Sequence, residues 1–207
     1  MSRTWSAKKS ETLTEISAAA SDDRIPPRER IVSTASELFR ERGIRGIGVD
    51  AIADAAATNK MTLYRHFGSK DELVCETLRR ASEKAEKIWR DLELAHPGDA
   101  RGQLLAWVEN RAHCLAGEPA GCDLANAAIE LKGEGHPAHE LIERHKTMQR
   151  NRLAALCVAA GAREPELLAD TLTLLLEGAR VTRQAMADGG CSCHFEKACS
   201  VAISAFG

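Results

Sequence analysis

The sequence predicts an all-α fold, with a small N-terminal head of three helices and a larger helical body. Three observations lead there. Apolar residues recur at helical spacing in nine separate stretches between residues 28 and 206. The gaps between stretches carry helix punctuation: Gly43, Asn59, Gly68-Ser69, His96-Pro97-Gly98, Gly133 to Pro137, and Gly161 to Pro165. Charge is also unevenly divided. Residues 1–70 hold 12 Lys/Arg against 9 Asp/Glu, whereas residues 71–207 hold 16 against 21. A basic head on an acidic body fits that asymmetry.

The chain has 207 residues, a net charge of −2 and seven cysteines. That length permits one domain or two small ones, with a sizeable core. No apolar run approaches the ~20 residues needed to span a bilayer. Arg3, Lys8 and Lys9 near the N-terminus precede no apolar segment, so a secretory signal is not expected. The cysteines are scattered and odd in number, which argues against a disulfide framework and for a reducing cytoplasm.

Residues 1–25 show no apolar stripe and are expected to form a disordered tail, with a basic arm that reaches DNA as the alternative. Pro26-Pro27 opens a helix over Arg28–Arg42, with Ile31, Ala35, Leu38 and Phe39 inward and Gly43 as its stop. Val49, Ile52, Ala53 and Ala56 line a short second helix. Asn59 is a good N-cap for a third, in which Leu63 and Phe67 point inward at i and i+4. Lys60, Met61, Thr62, Tyr64, Arg65 and His66 are left outside, a basic, hydroxylated and aromatic set without an acid. Gly68 stops this helix and Ser69 caps the next. Two short helices about a tight turn, the second with a basic outer face, make a helix-turn-helix for the DNA major groove.

The body continues the pattern. Lys70–Leu94 is long enough to be shared by head and body, a lever between them. Asp99–Leu115, Cys122–Leu131 and Ala138–Ala160 follow. Glu166–Ala187 is apolar around much of its circumference and needs cover on several sides, for which a second copy of the chain is the natural source. Cys193–Phe206 closes the sequence.

The segment from Arg28 to Leu78 resembles the DNA-binding domain of TetR-type bacterial transcription regulators. The matching words are Ile52-Ala53-Asp54-Ala55-Ala56, Lys60-Met61-Thr62-Leu63-Tyr64-Arg65-His66-Phe67, and Ser69-Lys70-Asp71-Glu72-Leu73. Two positions depart from the family pattern. Gly48 stands where Thr is usual, which removes a side-chain cap and phosphate contact, and Met61 stands where Gly is usual. The resemblance implies a helix-turn-helix head over 26–75 and an effector-binding and dimerisation body over 76–207. It implies contacts to phosphates or base edges from Lys60, Thr62, Tyr64, His66 and Lys70, and pairing of the last two helices in a homodimer. Arg65 suits guanine or a phosphate, and Met61 a thymine methyl. The expected partners are an operator duplex, a small-molecule effector and a second copy of the chain. Repression released by the effector is the expected mode.

Candidate effector contacts in the body are Trp107, Arg111, Cys122, Asn126, Glu130, His145, Met148, Arg152 and Gln184. Asn126 stands out, because an amide in an Ala-rich helix needs a partner. Cys191-Ser192-Cys193-His194 supplies at most three metal ligands and is expected to be a turn between helices, with thiol or metal sensing as the alternative. No cofactor or metal is expected. No P-loop, paired C-x-x-C, G-x-S-x-G or H-E-x-x-H occurs, so an enzyme is not expected. A helical ligand-binding protein without DNA-binding activity is the remaining alternative.

Overall fold

The computed structural model describes residues 25–117, 122–133, 135–186 and 191–207. Nearly all of the N-terminal tail therefore lies outside the described residues, as do Ala187, Asp188, Gly189 and Gly190 at the end of the helix expected over Glu166–Ala187. Nine helices and no strand occur among the described residues: α1 Pro27–Arg42, α2 Val49–Ala55, α3 Lys60–Phe67, α4 Lys70–Ala95, α5 Ala100–Gly117, α6 Asp123–Glu130, α7 Ala138–Ala159, α8 Pro165–Ala185 and α9 Cys191–Phe206. None of them is long and apolar enough to cross a membrane.

Helix ends follow from local chemistry. Pro27 begins α1 where its missing N–H has no intrahelical partner to lose. Gly43 ends it at φ +75, a conformation open to glycine and strained for other residues. Expected helix ends shift by one or two residues, and the shift that changes a reading concerns Cys191-Ser192-Cys193-His194. It forms the first turn of α9 and does not connect two helices. Cys191 donates to the Ala179 carbonyl at 3.2 Å, which seats that turn on α8. At helical spacing Cys191 and Cys193 point about 200° apart, so they do not converge on one ion. Among the described residues no three His, Cys, Asp or Glu side chains are arranged to hold a metal.

Two apolar clusters form the core. One gathers Ile31, Val32, Phe39, Ile52, Leu63 and Phe67 with Leu73, Val74 and Leu78 from the first turns of α4. Leu124, Ala127 and Leu131 of α6, and Ala138 and Ile142 of α7, belong to this same cluster. The other gathers Trp89 and Leu92 of α4 with residues of α5, α7, α8 and α9. Helix α4, about 39 Å long by its 26 residues, thus runs through both clusters. Helix α6 follows the body in sequence and the head in packing.

Candidate nucleic-acid interface and body site

Three groups hold the turn between α2 and α3. Ala57 takes a left-handed φ of +48, and the Thr58 N–H donates to the Ala53 carbonyl at 2.9 Å. The Arg30 guanidinium reaches across from α1 to the carbonyls of Ala56 and Ala57, both at 3.2 Å. Asn59 then caps α3, its Oδ1 accepting from the Thr62 N–H at 2.8 Å. Gly48, the N-cap of α2, supplies no side-chain bond.

Helix α3 is sorted by side. Leu63 is fully buried and Phe67 nearly so. The Arg28 guanidinium lies 5.3 Å from the centre of the Phe67 ring and braces it from α1. On the other side, Met61 is 84% exposed and Tyr64 40%. Lys60, Arg65 and His66 are exposed, and Thr62 is half-buried. Lys60 pairs with Asp50 at 3.0 Å, which links the N-terminal turns of α2 and α3. The resulting surface carries cations, a hydroxyl and an aromatic ring over a rigid apolar back.

Lys70 is placed differently from the other members of this set. Its Nζ donates to the carbonyls of Ile44 and Ile47, both at 2.6 Å. Burial pulls the ammonium below the usual lysine range. Two of its three donors thus fasten the α1–α2 loop to α4, which revises the expectation of a lysine aimed chiefly at phosphate.

The expected effector residues do not share one cavity. Glu130 turns toward the head, where its carboxylate accepts from the backbone N–H of Ile44 at 2.7 Å and of Arg45 at 3.3 Å. Met148 and Arg152 lie along a shallow groove on the outer face of α7. Asn126 accepts from Gln184 at 3.3 Å, joining α6 to α8. Cys122 is the N-cap residue of α6. These four placements correct the idea of a single pocket. A helix's sequence gives its apolar side but not which neighbour each polar residue meets.

Trp107, Arg111 and His145 do come together, all at least nine-tenths buried. Trp107 stacks on Trp89 with ring centres 6.4 Å apart, and Arg111 lies 5.7 Å from the centre of the Trp107 ring. The His145 Nδ1 shares a hydrogen bond with the Ser82 hydroxyl at 2.8 Å. Burial, helped by Lys146, Arg180 and Arg111, brings this imidazole down to about 4, so it is neutral at neutral pH. Asn110, Lys146, Glu177 and Arg180 belong to the same neighbourhood and escaped the sequence reading. Asn110 lies one turn from Trp107, a spacing that could have pointed to it.

Comparison with known proteins agrees with this architecture. The model for "Bacterial regulatory proteins, tetR family" matches residues 31–77. The transcriptional activator FasR of Mycolicibacterium smegmatis is 44% identical over 61 residues, which is 28% of each chain, so that match spans far less than the relative's full length. Two solved structures match nearly throughout. One is the TetR-family regulator SCO4454 of Streptomyces coelicolor, with a TM-score of 0.81 and 25% identity over 87% of this chain and 95% of that one. The other is a TetR-type regulator, sav143, of Streptomyces avermitilis, with a TM-score of 0.73 and 31% identity over 88% of this chain and 98% of that one. With its helix-turn-helix head, its all-helical body and these matches along nearly the whole chain, the protein belongs to the tetR family of bacterial transcriptional regulators.

Proposed function

We propose that this regulator is a homodimeric repressor, held on a palindromic operator and released when a small molecule binds its body. The observation that carries the reading is the two-sided build of α3. Leu63 and Phe67 fix it from behind, while Lys60, Met61, Thr62, Tyr64, Arg65 and His66 stand at or near the surface. Lysine, arginine and hydroxyl groups supply donors to phosphate, and a guanidinium can read guanine with its fork. Gly48 contributes close backbone approach only, and Lys70 at most its one remaining proton. The head, residues 26–75, meets its operator half-site through this face. Two copies bring two such faces to half-sites about 34–36 Å apart, one turn of duplex.

Release follows from how α4 and α6 are tied. Helix α4 is buried in both clusters. Helix α6 packs on the head cluster, and Arg40 pairs with Asp123 through two bonds of 3.1 and 3.0 Å. A ligand that shifts the ends of α5, α6 and α8 within the body, residues 76–207, therefore re-aims the heads. It lowers operator affinity to the extent that it prefers the shifted state. Fluorescence anisotropy on a duplex from the region upstream of its own coding sequence tests the proposal. Wild type should bind with affinity that falls steeply with salt, and Tyr64→Ala should weaken binding at least tenfold while leaving the melting temperature within a few degrees. Equal binding by wild type and Tyr64→Ala would remove α3 as the reading helix. Repression and activation separate in a reporter assay with the gene deleted, where repression predicts a rise in output.

A further inference from the structure

The cluster on the inner face of α5 has an electrostatic deficit. Three side-chain atoms there are fully buried without a hydrogen-bond partner: Trp107 Nε1, Asn110 Oδ1 and Arg111 Nη2. They occupy about 100° of the helix circumference, within one turn. Arg111 is 8% exposed and Trp107 4%. The other cations nearby are compensated: Lys146 meets Glu177 at 2.5 Å, and Arg180 meets the same carboxylate at 2.9 Å. Burial opposes ionisation of Glu177, and Arg180 and Lys146 outweigh it, so this acid stays charged and engaged. Arg111 has no carboxylate within ion-pair distance among the described residues. Its contact there is the Trp107 ring, a weak substitute for an anion. Neutral His145 adds no compensating charge.

A buried charge without a counter-ion is strongly unfavourable, and so is an unpaired indole N–H. Such groups in a folded protein call for a partner, and a bound ligand is one that supplies it. We propose that Trp107, Asn110 and Arg111 form the recognition point for a small organic carboxylate with an apolar body. The carboxylate accepts from Arg111 Nη2 and Trp107 Nε1, and Asn110 Oδ1 receives a hydroxyl or N–H of the same molecule. A single unmatched positive charge suits a monoanion better than a phosphate dianion, and the surrounding Leu104, Val108 and Leu115 suit a hydrocarbon portion. The assignment rests on the effector-released regulator reading and names the effector's class.

Thermal melts of the full-length protein with 3-hydroxyoctanoate and 3-hydroxybenzoate, each paired with its primary amide, test it. The acids should raise the wild-type melting temperature by about 5 °C at concentrations well above their dissociation constants and quench tryptophan emission, while the uncharged amides do neither. Arg111→Met should abolish both responses and, without ligand, melt at or above wild type, because it removes an unmatched charge. If acids and amides act alike, or if neither shifts wild type, the proposal is overturned. It is also overturned if Arg111→Met melts several degrees lower, which would make Arg111 a packing residue. The wild-type acid and amide comparison stands even if the variant does not fold. Anisotropy on the promoter duplex with the same samples separates the two levels. Intact salt-dependent DNA binding without an acid response sinks the ligand class alone, and absent DNA binding sinks the regulator reading beneath it.

Discussion

At Asp50 a single carboxylate stands at the edge of the exposed face of α3 proposed to meet DNA. It holds the Lys60 ammonium at 3.0 Å, and that hydrogen bond raises the lysine's affinity for its proton. Both side chains are well exposed, so the pair adds little stability. Near a duplex its effect is larger, because Asp50 repels phosphate and occupies a cation that could meet it. Asp50→Asn should therefore tighten operator binding and steepen the logarithmic salt dependence by about one unit, as expected for one added phosphate contact. Titrations at several salt concentrations check both. His145 makes a second prediction at this scale. Its protonation is held to about 4 in the folded chain against 6.5 for the free side chain. The unfolded chain thus binds the proton first, and folding loses up to about 3 kcal/mol as pH falls from 6.5 to 4. Urea denaturation near pH 7 and near pH 4.5 should show His145→Asn as the less stable form at neutral pH, with the gap narrowing in acid. A gap independent of pH would mean that the imidazole titrates normally.

At the scale of elements, α6 is the telling case. Its far end delivers the Glu130 carboxylate to the N–H groups of Ile44 and Arg45, and the following Lys132 carbonyl accepts from Arg45 Nη2 at 3.0 Å. Charge-assisted bonds of this kind contribute about 1.5–3 kcal/mol, so Glu130→Ala leaves two head amides without their acceptor. Amide hydrogen exchange at Ile44 and Arg45 should accelerate at least tenfold, while the protection of Leu63 in α3 stays within a factor of a few. Unchanged exchange at Ile44 would show that α6 does not brace the head. This strut also marks how far the sequence could be read. Helix ends were legible wherever a residue acts on its own backbone, as Gly43, Asn59, Gly68 and Ser69 do. The inner and outer sides of α3 were legible because Leu63 and Phe67 have only one way to be buried together. Partner choice across helices was not. Glu130, Lys70 and Asn126 are polar residues at ordinary spacing, and only packing decides that the first two bind the head loop. The start of α9 was missed because Cys191 and Ser192 carry no strong helix signal, and contact with α8 holds them in the helix.

Across the whole molecule, the surface of α8 and α9 is the face on which the proposed second copy is tested. Leu167, Leu174 and Val181 recur every seven residues on α8 and are 50%, 73% and 60% exposed, and Val201 on α9 is 70% exposed. Scattered exposed apolar residues are ordinary, whereas a stripe along one long helix is a surface made for contact. Between α8 and α9 an open groove of about 670 Å³, lined in part by Leu174, Gly178, Phe195 and Ala198, continues the same apolar face. A twofold axis through this face would set Leu174 close to its own counterpart, so any charge placed there is met by an identical charge. Leu174→Arg should then convert a species of about 45 kDa, twice the 22.4 kDa chain, into the monomer in light scattering coupled to gel filtration. Each head keeps its fold, because the head cluster includes no residue of α8 or α9. The monomer should still bind duplex weakly through one face, with roughly half the salt dependence of the dimer, since it meets half as many phosphates. Loss of the dimer together with an unchanged salt slope would mean that the heads never engaged two half-sites at once. A dimer that survives Leu174→Arg would move the interface off α8 altogether.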